Sequence, residues 1–299
     1  MSMSAVLPPV VVLDPLLHSW LLEDIGRGDR TTGSLIREVR FGRADWIAKQ
    51  TGVIAGLPIA ARVFQLLNDS RYQSPTSSIS FTRLVAEGEF SYPGQVVAQV
   101  HAPLDALLMG ERVALNLAMR LSGIATLTSN YVEKIADLPA RLVDTRKTTP
   151  GLRVLEKYAS QVGGAINHRM GLDDAVMIKD NHIVAAGGIA QAIAQIREKI
   201  PYPLTIEVET SSLTEVEAAL KHGADIIMLD NMSLDLMSQA VQLIRRTNHQ
   251  VKIEASGNIT LETIRAVAET GVDFISSSAP VTRSTWLDLS MNIDNSSIK

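Results

Sequence analysis

The chain has 299 residues, of which 46% are hydrophobic and 20% are charged, and its formal net charge is −4 at pH 7. This composition is typical of a soluble globular protein with a large core, and it argues against nucleic-acid or membrane-surface binding. The absence of cysteine excludes disulfides, thiolate catalysis, zinc–thiolate sites and iron–sulfur clusters. The apolar run Val10–Leu13 lacks the basic segment of a signal peptide, and no run reaches the ~18 apolar residues of a membrane span, so we expect a cytoplasmic protein.

The first part of the chain predicts an irregular mixture of strands and helices. Residues 1–13 are expected to form a loose tail, and the apolar spacing within Leu16–Leu21 indicates a helix after it. Strands are predicted over Arg43–Lys49 and within Ser80–Gln99, with a helix at Leu57–Leu67 between them. This strand-rich opening differs from the rest of the chain, so we expect it to be a separate domain.

A long helical pattern runs from Leu104 to Ile135, with apolar side chains repeating at helical intervals. Gly110 and Ser122–Gly123 are expected either to interrupt this helix or to mark close helix contacts. Arg112 lies off the apolar stripe, and the pattern alone describes it as a surface arginine.

From there the chain alternates strands and helices in units of roughly 20–35 residues. Most of the strands are near-continuous apolar runs, as in parallel strands that are buried on both faces. The strand candidates are Leu142–Val143, Val176–Ile178, Thr205–Val208, Ile226–Leu229, Lys252–Glu254 and Phe274–Ser276. Such a repeat forms an α/β barrel or an open doubly wound sheet, and the absence of a G-x-G-x-x-G or P-loop motif favours the barrel.

The end of the chain breaks this repeat. Thr260 is predicted to cap a helix at Leu261–Glu269, and after Thr282 the segment Trp286–Ile293 predicts a final strand. We therefore predict a first domain of residues 1–117, which residues 283–299 rejoin, and a barrel domain of residues 118–282.

The stretch from Val143 to His182 concentrates basic side chains behind two predicted strands. It contains Arg146, Lys147, Arg153, Lys157, His168, Arg169 and Lys179. These cations follow strand exits and glycine turns rather than one helix face, so they predict a pocket for a ligand with several negative charges. A solvated basic face is the alternative explanation of such a cluster.

Each predicted barrel strand ends in a functional group, and α/β barrels have their active sites at the C-terminal strand ends. The first strand is followed by Asp144, Thr145, Arg146 and Lys147, and the later strands end at Lys179, Glu209, Asp230, Ser256 and Ser276–Ser278. Six strands therefore indicate one common mouth.

The chemistry of this set divides by position. Ser256–Asn258 and Ser276–Ser278 lie in the last two strand–helix loops, where exposed backbone N–H groups suit a phosphate. Glu209 and Asp230 are acidic groups in a basic site, and they could bind ribose hydroxyls, hold Mg²⁺ or orient the cations by ion pairing. Glu207 alternates away from Glu209, either into the barrel or toward the helices. The combination indicates phosphoribosyl transfer to an acidic acceptor.

These residues stand in stretches that resemble the quinolinate phosphoribosyltransferase family, the nicotinate-nucleotide pyrophosphorylases (carboxylating) of NAD synthesis. The matching stretches run nearly end to end and are EDIGRGDRTT, GERVALN, DTRKTTPGLR, GGAINHRMGLDDAVMIKDNH, IEVE, IIMLDN, IEASGNI and TGVDFIS. The resemblance implies an N-terminal α/β sandwich domain, a C-terminal α/β barrel with phosphate-binding loops, Mg²⁺ as cofactor, and a homodimer whose sites borrow residues from the partner's N-terminal domain.

The resemblance also implies a role for each matching residue. The two carboxylates of quinolinate would be held by Arg112 (reaching into the neighbouring site), Arg146, His168, Arg169 and Lys179. Lys147, with Lys179 again, would face the diphosphate of phosphoribosyl pyrophosphate, and Glu209 and Asp230 would serve the ribose hydroxyls and Mg²⁺. Ser256, Gly257 and the turn Ser277–Ser278–Ala279 would take the 5′-phosphate. The expected catalytic residues are Lys147, Lys179, Glu209 and Asp230.

One residue departs from the family pattern, and three other functions are compatible with the motifs. Ser278 stands where the family usually has glycine, and its Cβ limits close approach of the backbone to a phosphate. The other functions are a Schiff-base aldolase that uses Lys179, a relative that ribosylates a different acid, and a non-catalytic phospho-ligand sensor.

Overall fold

The computed structural model describes residues 5–71 and 79–298. The helices and strands, in chain order, are α1 (Val10–Ile25), α2 (Arg30–Leu35), β1 (Phe41–Ala48), β2 (Gly52–Val53), α3 (Leu57–Arg71), β3 (Ser80–Arg83), β4 (Phe90–Ser91), β5 (Val96–Pro103), α4 (Leu104–Glu133), β6 (Arg141–Val143), α5 (Arg153–Val162), β7 (Val176–Ile178), α6 (Asp180–Ala186), α7 (Ile189–Arg197), β8 (Ile206–Thr210), α8 (Leu213–Lys221), β9 (Ile226–Asp230), α9 (Leu234–Thr247), β10 (Lys252–Ser256), α10 (Ile264–Glu269), β11 (Phe274–Ser276), α11 (Ala279–Thr282) and β12 (Leu289–Ile293). None of the helices in these ranges is long and apolar enough to cross a membrane.

The chain divides into two compact units. The first contains residues up to Leu127, the segment Thr149–Gly163 and the chain from Ser284 on. The second contains Thr128–Thr148 and Gly164–Arg283. Each unit has its own sheet, so the fold is mixed α/β with an antiparallel sheet in the first unit and a parallel sheet in the second.

The first unit is built on a four-stranded antiparallel sheet in the order β12–β1–β5–β3, beside the short pair β2–β4. Residues of β1 alternate between buried and partly exposed, which directs Trp46 into the core. The Trp46 ring meets Phe64 of α3 and Phe81 of β3 edge on, with centroids 6.4 and 5.6 Å away. The strand predicted at the chain end is β12, which pairs with β1.

The helix α4 runs for 30 residues through both of its glycine positions without a break. A Cβ at Gly123 would overlap the carbonyl oxygen of Thr285, and one at Gly110 would lie 2.8 Å from the Phe64 ring. These glycines therefore mark close contacts rather than interruptions.

The second unit holds six parallel strands in the order β6–β11–β10–β9–β8–β7. Successive strands along the chain are neighbours from β7 to β11, and β11 then pairs with β6, the first strand. A sheet whose last strand pairs with its first has the strand order of a barrel. At the remaining position, beside β6, Ile166 forms a single parallel bridge to Val143 and extends the edge of that strand.

Two expectations about local structure were wrong. The predicted tail of residues 1–13 contains the start of α1 at Val10, and residues 1–4 lie outside the described residues. The helix predicted from Leu261 begins at Ile264 instead, after a turn in which the Thr260 carbonyl accepts the N–H groups of Thr263 and Ile264. The pattern also did not predict α5.

Two cations of the predicted basic cluster belong to α5 and not to the barrel strand ends. Arg153 begins this helix, and Lys157 is fully buried within it. Both residues are part of the first unit, whereas the strands that carry the other cations form the second. Arg153 and Lys157 therefore do not follow a strand of the parallel sheet.

Candidate active site

The C-terminal ends of the six parallel strands carry most of the predicted site residues. The register places Ser256 beside Asp230 and Ser276 beside Val143, so neighbouring strand ends are level. We define the strand-end site as Thr145, Arg146, Lys147, His168, Arg169, Lys179, Glu209, Asp230, Ser256, Gly257, Asn258, Ser277, Ser278 and Ala279, all in the second unit.

The turn after β6 presents two cations and is tied to the segment that carries the site histidine. Asp144 is buried, and its Oδ1 accepts the backbone N–H of His168 at 2.8 Å. Thr145 Oγ1 accepts the backbone N–H of Lys147 at 3.0 Å, which tightens the turn. Arg146 is half-buried and Lys147 is exposed, so both can reach a ligand.

The cation after β7 is paired with the carboxylate of the next strand. Lys179 Nζ lies 2.6 Å from Glu209 Oε2, and the two side chains are 42% and 17% exposed. Ion pairing, one of the three roles considered for Glu209, is therefore present. The roles in ribose and metal binding remain predictions.

Arg169 is a buried cation that lies near enough to Arg146 to feel its charge. Its guanidinium donates to the Ala175 carbonyl at 3.1 Å and contacts Met177 Sδ at 3.6 Å. Burial lowers the pKa of the Arg169 guanidinium, the charge of Arg146 lowers it further, and Glu207 opposes both effects. Two guanidinium groups that repel each other are stabilised by a carboxylate bound between them.

The ends of β9 and β10 form a corner with unusual backbone conformations. Asn231 and Asn258 have φ values of 52° and 50°, the only positive φ angles among non-glycine residues of the described ranges. Asn231 Nδ2 donates to Asp230 Oδ2 at 2.8 Å, and Asn258 Nδ2 donates to Asn231 Oδ1 at 3.2 Å. Gly257 has φ of 105°, and a Cβ there would overlap the Asn231 side chain. Strain of this kind, about 1–3 kcal/mol per residue, is typical of functional sites.

The turn after β11 accommodates the serine that departs from the family pattern. Ser278 has φ of −86° and ψ of −15°, which any L-residue adopts without strain. The buried Ser277 hydroxyl donates to the Ile259 carbonyl at 3.3 Å and accepts the Ala279 N–H at 3.2 Å. The backbone of this turn therefore does not require glycine at position 278.

Beneath the strand ends lies a cluster of His168, Glu207 and Glu254, which we call the glutamate–histidine cluster. His168 Nε2 lies 3.2 Å from Glu207 Oε2 and 3.5 Å from Glu254 Oε2. Glu207 therefore points into the barrel. Residues two apart on a strand share a face, so Glu207 lies on the same side of β8 as Glu209, and the expectation that it alternates away from Glu209 was wrong. Burial raises the pKa of Glu254 to about 7, the charge of Glu207 raises it as well, and His168 acts in the opposite direction.

The residues expected to hold Mg²⁺ fit that ion by their chemistry. Glu209 and Asp230 offer carboxylate oxygens, and Mg²⁺ is usually held by one or two carboxylates together with waters and substrate phosphates. Among the described residues, only the glutamate–histidine cluster brings three potential metal ligands within 4.8 Å of one another. A site of two carboxylates therefore depends on oxygens from the substrate.

Arg112 does not belong to the unit that carries the strand ends. It lies on α4 in the first unit, exposed at a cavity of about 510 Å³ that Trp20, Trp286 and Glu156 also line. Glu156 is fully buried there and accepts from Arg120 Nη2 at 2.8 Å. The structure thus places Arg112 at an open surface of its own unit.

Sequence reasoning did not single out Asn231 and Glu254, which the structure places against residues of the strand-end site. Asn231 follows β9 directly, and its left-handed conformation has no clear sequence signal apart from asparagine itself. Glu254 is predicted only as the end of a strand. A glutamate inside an otherwise apolar, doubly buried strand was the available signal, because such residues are rarely buried without a partner.

Comparison with known proteins extends these observations to the whole chain. Residues 29–122 match the N-terminal domain, and residues 124–292 the C-terminal domain, of quinolinate phosphoribosyl transferase. The chain is 60% identical to a probable nicotinate-nucleotide pyrophosphorylase (carboxylating) of Synechocystis sp., with 96% of this chain and 94% of that protein covered. It is 43% identical to the corresponding Bacillus subtilis protein, with 94% and 93% covered.

Solved structures give the same result. The crystal structure of NadC from Streptococcus pyogenes matches with a TM-score of 0.87 at 39% identity, over 96% of this chain and 99% of that one. The nicotinate-nucleotide pyrophosphorylase of Francisella tularensis matches with a TM-score of 0.87 at 35% identity, over 96% and 98%. The chain therefore belongs to the quinolinate phosphoribosyltransferase family.

Proposed function

We propose that this protein transfers the phosphoribosyl group of phosphoribosyl pyrophosphate to quinolinate, with decarboxylation, to give nicotinate mononucleotide, CO₂ and pyrophosphate in NAD biosynthesis. The observation that carries the proposal is the strand-end site, where cations, two carboxylates and two serine-containing loops share one edge of the sheet. Family membership over nearly the whole chain supports the same reaction.

The acceptor pocket in this proposal is the region of Arg146 and Arg169. Their mutual repulsion favours a dianion, and quinolinate supplies two carboxylates on neighbouring ring positions. Lys179 and His168 complete the pocket, and Arg112 is contributed by the partner subunit of a homodimer. Its exposed position on α4 supports such a role, because an arginine on an open surface is available to a second chain.

The donor pocket in this proposal follows the remaining strand ends. Lys147 and Lys179 face the diphosphate, and Glu209 and Asp230 bind the ribose hydroxyls and Mg²⁺. Ser256, Gly257, Asn258 and the turn Ser277–Ser278–Ala279 bind the 5′-phosphate. The asparagine chain from Asn258 through Asn231 to Asp230 supports this assignment, since it fixes the loop and the carboxylate together.

The reaction then needs little acid–base chemistry from the protein. The pyridine nitrogen attacks C1′ while the bond to pyrophosphate breaks, and Lys147 and Lys179 offset the negative charge of the leaving group. Glu209 and Asp230 would hold Mg²⁺, which would supply further positive charge to offset that of the leaving group. The ribosylated ring is cationic and stabilises the electron pair that stays on C2 when the 2-carboxylate leaves as CO₂. A proton from water then forms the C2–H bond of nicotinate mononucleotide. Holding both substrates in line contributes more than any single proton transfer.

We also propose a cytoplasmic location and the domain limits expected from the sequence, residues 1–117 with 283–299 and residues 118–282. The two compact units differ from these limits at residues 118–127 and 149–163, which belong to the first unit. Both substrates are multiply charged small molecules that do not cross membranes unaided, which supports a cytoplasmic enzyme. The pairing of β12 with β1 supports the return of the chain end to the first domain.

The reaction is tested by mass spectrometry on purified protein with phosphoribosyl pyrophosphate, Mg²⁺ and either quinolinate or nicotinate. We expect nicotinate mononucleotide and CO₂ from quinolinate alone. Product from nicotinate instead would keep the donor site but overturn the acceptor. Binding of phosphoribosyl pyrophosphate without product from either acid would indicate a sensor.

The acceptor pocket is tested by substituting Arg146→Ala, with the exposed Arg246→Ala in the same unit as a matched control. Removing one of two cations that share a carboxylate is expected to raise the quinolinate Kd by at least about tenfold, since such a contact contributes ~1.5–3 kcal/mol. Isothermal titration with quinolinate measures the change. Equal affinity in the two variants would remove Arg146 from the pocket.

A further inference from the structure

The glutamate–histidine cluster is the strongest feature of the molecule that the proposed reaction leaves unexplained. Glu207 and Glu254 are 3% and 4% exposed, and they lie inside a site that we propose binds anions. In the described part of the chain, Glu207 Oε1 and Glu254 Oε1 are buried without a hydrogen-bond partner. Burying two carboxylates with unpaired oxygens costs free energy, so their presence here requires an explanation.

Both ring nitrogens of His168 are engaged, and this assigns the position of the ring proton. Nδ1 accepts the backbone N–H of Arg169 at 2.7 Å, so Nδ1 carries a lone pair. The proton is therefore on Nε2, which faces the oxygens of Glu207 and Glu254. The ring orientation thus depends on the two carboxylates on one side and on the Arg169 backbone on the other.

His168 in turn connects the parts of the acceptor pocket. Its own N–H is bound by Asp144, which precedes the turn carrying Arg146, and its Nδ1 is bound to Arg169. A ring held by the buried carboxylates therefore fixes the backbone from which the Arg169 guanidinium projects. If the ring turned, the Arg169 N–H would lose its hydrogen bond to Nδ1, and the geometry of the acceptor pocket would change.

We propose that Glu207 and Glu254 are positioning residues, which hold the Nε2–H of His168 and thereby set the geometry of the acceptor pocket. The proposal rests on the proposed function in one respect, the assignment of His168 and Arg169 to quinolinate. A purely electrostatic role of the two carboxylates would predict the opposite change in quinolinate affinity. Removing negative charge near an anion site would tighten binding, whereas loss of positioning weakens it.

The kinetic test compares Glu207→Leu, Glu254→Leu and the double Leu variant, none of which can accept the Nε2–H of His168, with Glu217→Gln, which removes an exposed carboxylate from the same unit as a control. We expect the quinolinate KM of the double variant to rise at least tenfold while the KM for phosphoribosyl pyrophosphate changes less than twofold. Glu217→Gln should match the wild type. An unchanged or lower quinolinate KM in the double variant would overturn the positioning role.

A second measurement follows the His168 ring directly and needs no activity. Nitrogen-15 NMR of histidine-labelled protein, assigned with His168→Gln, should show the Nε2–H tautomer in the wild type and a changed ring signal in the double variant. If the wild type makes no product but this change occurs, the proposed function fails and the positioning stands. An unchanged ring signal in the folded double variant would overturn the positioning, and so would a stoichiometric transition metal in purified wild-type protein that is lost in Glu254→Leu.

Discussion

The pH dependence of stability gives a sharp test of the charges in the glutamate–histidine cluster. The folded protein holds the pKa of Glu254 at about 7, against a reference of 4.5. Below pH 4.5 the carboxyl is protonated in both the folded and the unfolded state, so it contributes no pH-dependent penalty. Between these values the unfolded state loses the proton first, so stability is lost as pH rises, and above pH 7 the penalty is constant.

The size of this effect follows from the shift. Each pKa unit corresponds to ~1.36 kcal/mol, so the full penalty is about 3 kcal/mol, and most of it develops between pH 5 and pH 8. Glu254→Gln cannot titrate. We therefore expect its stability, relative to that of the wild type, to improve by about 2–3 kcal/mol over that interval, whatever the fixed effect of the substitution.

Urea unfolding followed by far-ultraviolet circular dichroism at the two pH values measures this difference. Fluorescence is less suitable because Trp20, Trp46 and Trp286 all lie in the first unit. Glu217→Gln, which removes an exposed carboxylate from the same unit, should shift stability equally at both pH values. The reasoning is refuted if the difference between wild type and Glu254→Gln is the same at pH 5 and pH 8.

Three further substitutions test other parts of the structure. Gly257→Ala places a Cβ against Asn231 at a φ of 105°, so we expect the KM for phosphoribosyl pyrophosphate to rise at least about tenfold in steady-state assays, for a strain of ~1–3 kcal/mol; an unchanged value would remove this loop from the donor site. Arg120→Met removes the guanidinium from the fully buried Glu156 carboxylate, which keeps the hydrogen bonds from the Thr149 N–H and hydroxyl. This loss should lower the free energy of unfolding by about 3–5 kcal/mol in urea titrations, whereas a loss under 1 kcal/mol would show that Thr149 alone satisfies Glu156. Gly123→Ala forces a Cβ onto the Thr285 carbonyl and should lower the melting temperature by several degrees, for a cost of ~1–3 kcal/mol, while an unchanged melting curve would mean that the segment beside α4 moves aside.

The sequence by itself determined the parallel strands and the residues that follow them. The strands are near-continuous apolar runs because both of their faces are buried, and a polar group after such a run marks the end of the strand. This is why Lys179, Glu209 and Asp230 could be placed at one mouth before any contact was known. The motif around Arg146 and the NHRMGL stretch indicated the family because the residues of each motif are close together in the chain.

Only the tertiary structure decided which of these groups touch and which basic residues belong to a helix rather than to a strand end. The direction of Glu207, the pairing of His168 with Glu254, and the burial of Lys157 on α5 depend on packing between elements that are far apart in sequence. The pairing of β11 with β6 joins positions 274–276 to 141–143, and no local pattern encodes that distance. The local periodicity of a sequence indicates which face of a helix or strand is apolar. Which other element packs against that face depends on the fold as a whole.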